Sequence, residues 1–288
     1  MKNVLIVLNY NDSITTIEFL KSVKDFNEID KIVVVDNCSK DDSFSELKKY
    51  RSDKIHVIKS DYNGGYAYGN NFGIKYAIKK FNPIFLTIAN PDIKFENKAL
   101  KSIRKYLEGN STIAAANIKI KNIDGHIEKP GWNLPSFKDD IKEMFIISRI
   151  FLGKKKSVID NNISEFQIQD VLHGCFFVIK ANIMLKIGLF DERTFLFGEE
   201  RILGYKIKEL GMKQATLLSE ECIHEHSKSI NKNISSVVEK YKILYDSRLI
   251  YYTQYLKLNN IKITLYKFVR KLSLLEKRVI YLIKEIVS

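Results

Sequence analysis

Along the first 120 residues, short apolar runs alternate with stretches of helical period. The runs Val4–Leu8, Ile32–Val35, Ile55–Ile58, Ile84–Ile88 and Ile113–Ala116 are almost continuously apolar, the pattern of strands buried on both faces. Between them Ile14, Ile17, Leu20 and Val23 recur at helical spacing, and Leu47 closes a short helix opened by Asp41-Asp42. Phe72, Tyr76, Ile78 and Phe81 mark a third helix, and Leu100, Ile103 and Leu107 a fourth. Single helices between buried strands predict βαβ units on a mostly parallel sheet.

From Asn122 to Gln169 the period is lost. This stretch holds Lys129-Pro130-Gly131-Trp132 and Gly153-Lys154-Lys155-Lys156, and it reads as an excursion (122–170) that covers a site rather than builds the sheet. Regular spacing returns with a strand at Cys175–Ile179, a helix near Ala181–Ile187, and a helix from Glu199 to Leu210 that Gly211 ends. No internal repeat is visible, which excludes a solenoid. The end of the chain differs in kind. Val237 to Leu256 is Tyr-rich and helical in period, and then Ile261, Leu265, Phe268, Leu272, Leu275, Val279, Leu282 and Ile286 form one stripe at spacing three to four. Lys262, Lys267, Arg270, Lys271, Lys277, Arg278 and Lys284 accompany it against Glu276 and Glu285 alone, a net charge of +5. Such a helix either lies in an anionic membrane surface or packs its stripe on the body. Residues 1–230 thus read as one α/β domain and 231–288 as a basic amphipathic tail.

Composition narrows the class. At 45% hydrophobic and 28% charged residues the chain is globular rather than disordered. At 288 residues it buries roughly three quarters of its unfolded surface and needs no staples. Cys38, Cys175 and Cys222 are scattered without C-x-x-C spacing, which disfavours a disulfide framework or structural zinc and fits a reducing cytosol. No run approaches the about 18 apolar residues of a membrane span, and the run at Val4–Leu8 is too short for a signal peptide. The sequence therefore predicts a cytoplasmic protein. Its net charge of +13 implies anionic partners: nucleic acid, phosphates or an acidic membrane surface.

Ligands of open parallel sheets bind beyond the carboxyl ends of the strands, and those ends are polar here: Leu8-Asn9-Tyr10-Asn11, Asp36-Asn37-Cys38-Ser39 and Asn90-Pro91-Asp92. Between the third strand and its helix runs Asn63-Gly64-Gly65-Tyr66-Ala67-Tyr68-Gly69-Asn70-Asn71-Phe72-Gly73. A Gly-rich turn can present backbone N–H groups to phosphate, or it can be merely structural. Its spacing matches neither a P-loop nor a dinucleotide-binding fingerprint.

These segments, in this order, resemble glycosyltransferase family 2, and within it the bacterial rhamnosyltransferase-like branch. Gly188-Leu189-Phe190-Asp191-Glu192, Phe197-Gly198-Glu199-Glu200 and Ile223-His224-Glu225-His226-Ser227 extend the resemblance to roughly residues 3–230. It implies a GT-A fold, a nucleotide-sugar donor, a divalent metal (Mg²⁺ or Mn²⁺) and transfer with inversion. Position by position, it puts Leu8, Asn9, Asp36, Gly65, Asn70, Asn71, Asn90 and Asp92 at the donor, with Asp92 on the metal and His224 a further metal or diphosphate ligand. Glu200 stands where the family usually has an aspartate base, and Glu199 is its acidic neighbour. The family's next acid is Ile202 here, and its frequent Arg is Lys206.

The chemistry accounts for these residue types. A hard cation on oxygen ligands neutralises charge on a leaving diphosphate, and a carboxylate takes the proton of an attacking hydroxyl. The resemblance further implies a saccharide acceptor, lipid-linked, in the synthesis of bacterial surface polysaccharide, with the protein peripheral on the inner face of the cell membrane. Two other readings remain. One is a non-catalytic nucleotide-sugar-binding module on the same fold, which retention of Asp92 and a carboxylate at Glu200 disfavours. The other is a basic nucleic-acid-binding protein, but no such module is visible and only the tail's tyrosines qualify as base-stacking aromatics. No nucleic-acid partner is expected.

Overall fold

The computed structural model describes residues 2–146, 165–225 and 236–287. The Gly153–Lys156 run, His226 and Ser227 lie outside the described residues, as do the side chains of Lys284, Glu285 and Ile286. The elements in order are β1 (Asn3–Asn9), α1 (Ser13–Val23), β2 (Lys31–Asp36), α2 (Ser43–Lys48), β3 (Ile55–Lys59), α3 (Gly65–Phe81), β4 (Phe85–Ala89), β5 (Ile93–Lys94), α4 (Asn97–Gly109) and β6 (Ile113–Asn122). Then come β7 (Ile127–Glu128), β8 (Gly131–Trp132), α5 (Phe137–Glu143), β9 (Phe166–Gln169), β10 (Val171–Leu172), β11 (Phe176–Lys180), α6 (Ala181–Lys186), α7 (Glu199–Glu209) and β12 (Lys213–His224). The chain closes with α8 (Val237–Ile250), a π-helical turn at Tyr251–Tyr255, and α9 (Asn260–Val287).

The main sheet runs β3-β2-β1-β4-β11-β6-β12-β5, with β7 beside β6 and β9 beside β12. β1 pairs in parallel with β2 and β4, and β2 with β3. β11 enters antiparallel between β4 and β6. This is the α/β sheet that the alternation of apolar runs predicts.

Both faces of the sheet are covered, which is why its strands read as unbroken apolar runs. Leu5 and Val7 of β1 face Phe19, Leu20, Leu100 and Ile103 on one side. Val4 and Ile6 face Ala67, Ile74 and Ala77 of α3 on the other. Contact with α3 is close because its glycines leave room: a Cβ on Gly73 would stand 2.7 Å from Val35 and 2.9 Å from Ile6.

Three expectations change. The Gly-rich segment is not a turn before the third helix; from Gly65 onward it is that helix. The excursion does add to the sheet, since β7 pairs with β6 and β9 with β12. The longest strand, β12, has no counterpart in the sequence reading. Its solvent-facing half (Ser219, Glu220, Glu221) is polar and its register breaks between Leu217 and Glu221, so no period of two is legible there.

The C-terminal helices do not form a detached tail. Tyr245, Tyr251, Tyr252, Tyr266 and Val269 pack with Met144 and with Ile202 of α7 in a third cluster. These tyrosines are interior, so they offer no surface for stacking on bases.

Candidate active site

A cavity of about 520 Å³ opens at the carboxyl ends of β1 and β4. Asn9, the last residue of β1, lies in its wall and is almost wholly buried. Asp36 ends the neighbouring strand and accepts 3.0 Å hydrogen bonds from the Asn9 amide and the Ser39 backbone N–H. Asp36 is itself fully buried and does not line the cavity; it fixes Asn9. The Asn9 side-chain Oδ1 accepts from the Thr16 hydroxyl at 2.8 Å.

Gly65 begins α3 at φ +84, and a Cβ there would stand 1.9 Å from the Phe195 carbonyl oxygen. That carbonyl accepts a 2.8 Å bond from the Tyr66 N–H. Only a glycine lets the helix start against this loop. Asn70 and Asn71, one turn on, do not reach the cavity. Asn70 donates to the Tyr66 carbonyl, and Asn71 clasps the backbone of Phe190 in both directions while also donating to Glu192. The Phe190-Asp191-Glu192 segment is likewise structural: Arg193 chelates Asp191, and Tyr255 donates to it at 2.7 Å.

Asn90, Pro91 and Asp92 follow β4 into the cavity wall. Asp92 is 7% exposed, and its Oδ1 has no hydrogen-bond partner among the described residues. His224, at the end of β12, brings Nε2 to 3.5 Å from that oxygen, and Glu128 of β7 stands 3.7 Å from its Nδ1. A buried orphan carboxylate oxygen beside an imidazole suits a divalent cation whose other ligands are phosphate oxygens and water. No group of three or more His, Cys, Asp or Glu among the described residues is gathered as a closed cage. Glu128 was not singled out from the sequence, because nothing local ties position 128 to position 224.

Opposite stand Glu199 and Glu200, the first two residues of α7, after Gly198 at φ +85. Each keeps an Oε2 without a partner among the described residues. Burial, then the charge of Glu200, pushes Glu199 well above the usual carboxylate range. Burial also raises Glu200, but its own backbone N–H and the Arg201 guanidinium pull it back. Backbone hydrogen bonds draw Glu199 back as well, and two carboxyls so close disfavour carrying two negative charges at once. Tyr66 donates to the Gly174 carbonyl at 2.6 Å, and burial together with the two carboxylates keeps its phenol protonated. Ile202 is fully buried, and Lys206 donates to the Leu189 carbonyl at 2.8 Å; neither reaches the cavity.

The excursion stands behind the cavity wall and positions His173, which lines it. Pro130 accepts from the His173 N–H and the Asn117 side chain, which seats His173 edge-on to His224 with ring centres 5.8 Å apart. Trp132 packs edge-on to His173 at 6.5 Å.

The family model described as Glycosyl transferase family 2 matches residues 4–182. This chain belongs to glycosyltransferase family 2. Within the family it is similar to the low-salt glycan biosynthesis hexosyltransferase Agl10 of Haloferax volcanii, 25% identical over 71% of this chain and 61% of that protein. It is also similar to rhamnosyltransferase WbbL of Escherichia coli K12, 22% identical over 59% of this chain and 65% of that protein. The matches thus span under two thirds of each relative. Among solved structures, the mannosyltransferase PcManGT of Pyrobaculum calidifontis, in complex with GDP-Man and Mn²⁺, shares the fold at TM-score 0.59 and 13% identity, over 96% of this chain and 73% of that one. The GT-A fold of this family member is thereby shown. Its α7 carboxylates and His224 lie beyond the segment that the family model covers.

Proposed function

We propose that the protein is an inverting glycosyltransferase that moves a sugar from a nucleoside-diphosphate donor to a saccharide acceptor. The observation that carries this reading is the set of three carboxylates, Asp92, Glu199 and Glu200, which line one cavity and each keep an oxygen without a hydrogen bond among the described residues. Leaving buried carboxylate oxygens unpaired is costly, and a ligand that satisfies them offsets that cost. Family membership and the metal- and sugar-nucleotide-bearing fold relative support the same reading.

In this reading the donor lies along Leu8, Asn9, Gly65 and Asn90. Asp36 acts from behind Asn9, Asn71 holds α3 to the Phe190 segment, and Asn70 bonds within α3. Asp92 and His224 would hold a divalent ion, Mg²⁺ or Mn²⁺, which would supply charge neutralisation at the leaving diphosphate. Glu200 accepts the proton of the acceptor hydroxyl as its oxygen attacks the anomeric carbon from the face opposite the diphosphate; that direction of attack inverts the configuration. Glu199 sits beside Glu200, and burial together with the neighbouring charge favours its neutral form. The acceptor is read as a lipid-linked saccharide of bacterial surface polysaccharide synthesis, met at the inner face of the cell membrane.

Thermal unfolding against a panel of nucleotide sugars, with and without Mn²⁺, tests the reading. A ligand that binds the folded state raises its stability by mass action. One donor should raise the transition temperature more with Mn²⁺ than without, and Asp92→Asn should lose that difference. A panel without any shift overturns the proposal.

A further inference from the structure

The stripe of helix α9 faces outward. A different face, Tyr266, Val269, Ser273 and Lys277, is turned to the body and is buried. The Tyr266 hydroxyl donates to the Tyr245 carbonyl at 2.8 Å, and Lys277 donates to the Met144 carbonyl at 2.5 Å and to Ser273 at 2.9 Å. Arg270 pairs with Asp246 of α8 at 2.5 Å. The helix is thus clamped by polar and aromatic contacts, while Leu265, Phe268, Leu272, Leu275, Val279 and Leu282 stand 42–59% exposed. Ile261 at the start of the same line is 78% exposed.

At about 3.6 residues per turn, Lys267, Lys271 and Arg278 fall together along one shoulder of this stripe, and all three are exposed. The acid among the described side chains of the helix, Glu276, is drawn inward: it accepts from the Ile146 N–H at 2.9 Å and lies 3.8 Å from Lys277. Among the described side chains the outward surface is therefore apolar along its middle, with Lys267, Lys271 and Arg278 along one edge.

We propose that the outward face of α9 docks on the anionic surface of a lipid bilayer, with the helix lying in the plane of the interface. A contiguous apolar strip this long is unfavourable in water. Helix α9 does not meet the length and apolarity needed to cross a bilayer, so a parallel orientation remains. There the apolar side chains enter the acyl boundary, and the lysines and arginine extend to lipid phosphates. Antiparallel self-pairing of two such faces would set the basic shoulder of one copy close to that of the other, whereas anionic headgroups neutralise it. The inference rests on α9 alone and not on the proposed transfer reaction; it supplies the physical means for the membrane location in that reading.

Flotation of the full chain with vesicles tests it. Vesicles of phosphatidylcholine with phosphatidylglycerol should carry the protein upward at low salt and release it at high salt, and phosphatidylcholine alone should carry far less. Each basic residue near an anionic surface changes partitioning about fivefold, so the triple change Lys267→Gln, Lys271→Gln, Arg278→Gln should weaken binding ~10²-fold. Phe268→Ser with Leu275→Ser should abolish it, with the thermal transition unmoved because both side chains are exposed. The proposal is overturned if the unaltered chain stays down with anionic vesicles, or if the Phe268/Leu275 variant floats as well as the parent. It is equally overturned if the chain elutes as a dimer that this variant converts to a monomer. The thermal-shift panel, run on the same samples, keeps the two proposals separate: a chain that floats but binds no nucleotide sugar fails the transfer reading alone.

Discussion

Glu199 and Glu200 are adjacent in sequence, yet their surroundings divide their roles. Burial raises both and backbone hydrogen bonds draw both back, while the Arg201 guanidinium pulls Glu200 further toward ionisation. Glu200→Gln should therefore lower sugar transfer by about 10²-fold or more, the usual contribution of a general base, with donor affinity nearly unchanged. Glu199→Gln should be milder; the reverse order of rates would exchange the two roles. Stability supplies an independent check on Glu199. A carboxyl whose folded pKa lies above its ordinary value of 4.5 favours folding fully below that value and loses this contribution as pH rises through the folded pKa. The Gln variant should match the parent near pH 4 and melt above it at pH 8. A variant that melts lower at pH 8 refutes the assignment.

At the scale of elements, α7 presents both carboxylates because its other face is fixed from behind. Arg201 makes two hydrogen bonds to Asp140 of α5, at 2.7 and 3.1 Å, and Tyr252 donates to the same carboxylate at 2.5 Å. Arg248 of α8 lies 3.6 Å away. Asp140 is fully buried, and both arginines are under a tenth exposed. Neutralising that carboxylate leaves the buried Arg201 without its counter-charge and Arg248 with Glu143 at 3.9 Å. Asp140→Asn should thus destabilise the fold by about 3–5 kcal/mol, the cost of breaking a buried pair from one side. Denaturant unfolding reads this directly, and a change under 1 kcal/mol would show that the network is not the clamp behind α7.

For the molecule as a whole, the C-terminal helices belong to the body. Tyr245, Tyr251, Tyr252 and Tyr266, each of which buries about 150–250 Å², cover α5 and Ile202 of α7. A chain ended at residue 235 exposes that surface and leaves Asp140 and Arg201 without Tyr252 and Arg248. It should melt at a lower temperature, and any donor-induced shift should shrink with it. An unchanged melting curve would mean that residues 1–235 stand alone. The point changes at Phe268 and Leu275 touch none of these contacts, which is why they probe the outward face of α9 without disturbing the body.

The alternation of strands and helices through β6, the polar strand ends, Asp92 and the carboxylates that open α7 were all legible in the sequence. Strands buried on both faces leave continuous apolar runs, and helices on a sheet leave a period of three to four; both are local signals. Tertiary structure alone decided what depends on distant pairs. It turned Asp36, Asn70 and Asn71 to internal hydrogen bonds, although their positions in the motif are the same in either role. It set Glu128 beside His224 and placed the polar strand β12 between β6 and β5. The stripe on α9 is compatible with packing inward or facing out, because amphipathic period fixes which residues share a face and not what that face meets. Clamping by Tyr266, Ser273 and Lys277 settled the question, since those contacts lie with α8 and the end of α5, more than twenty residues or a whole domain away along the chain.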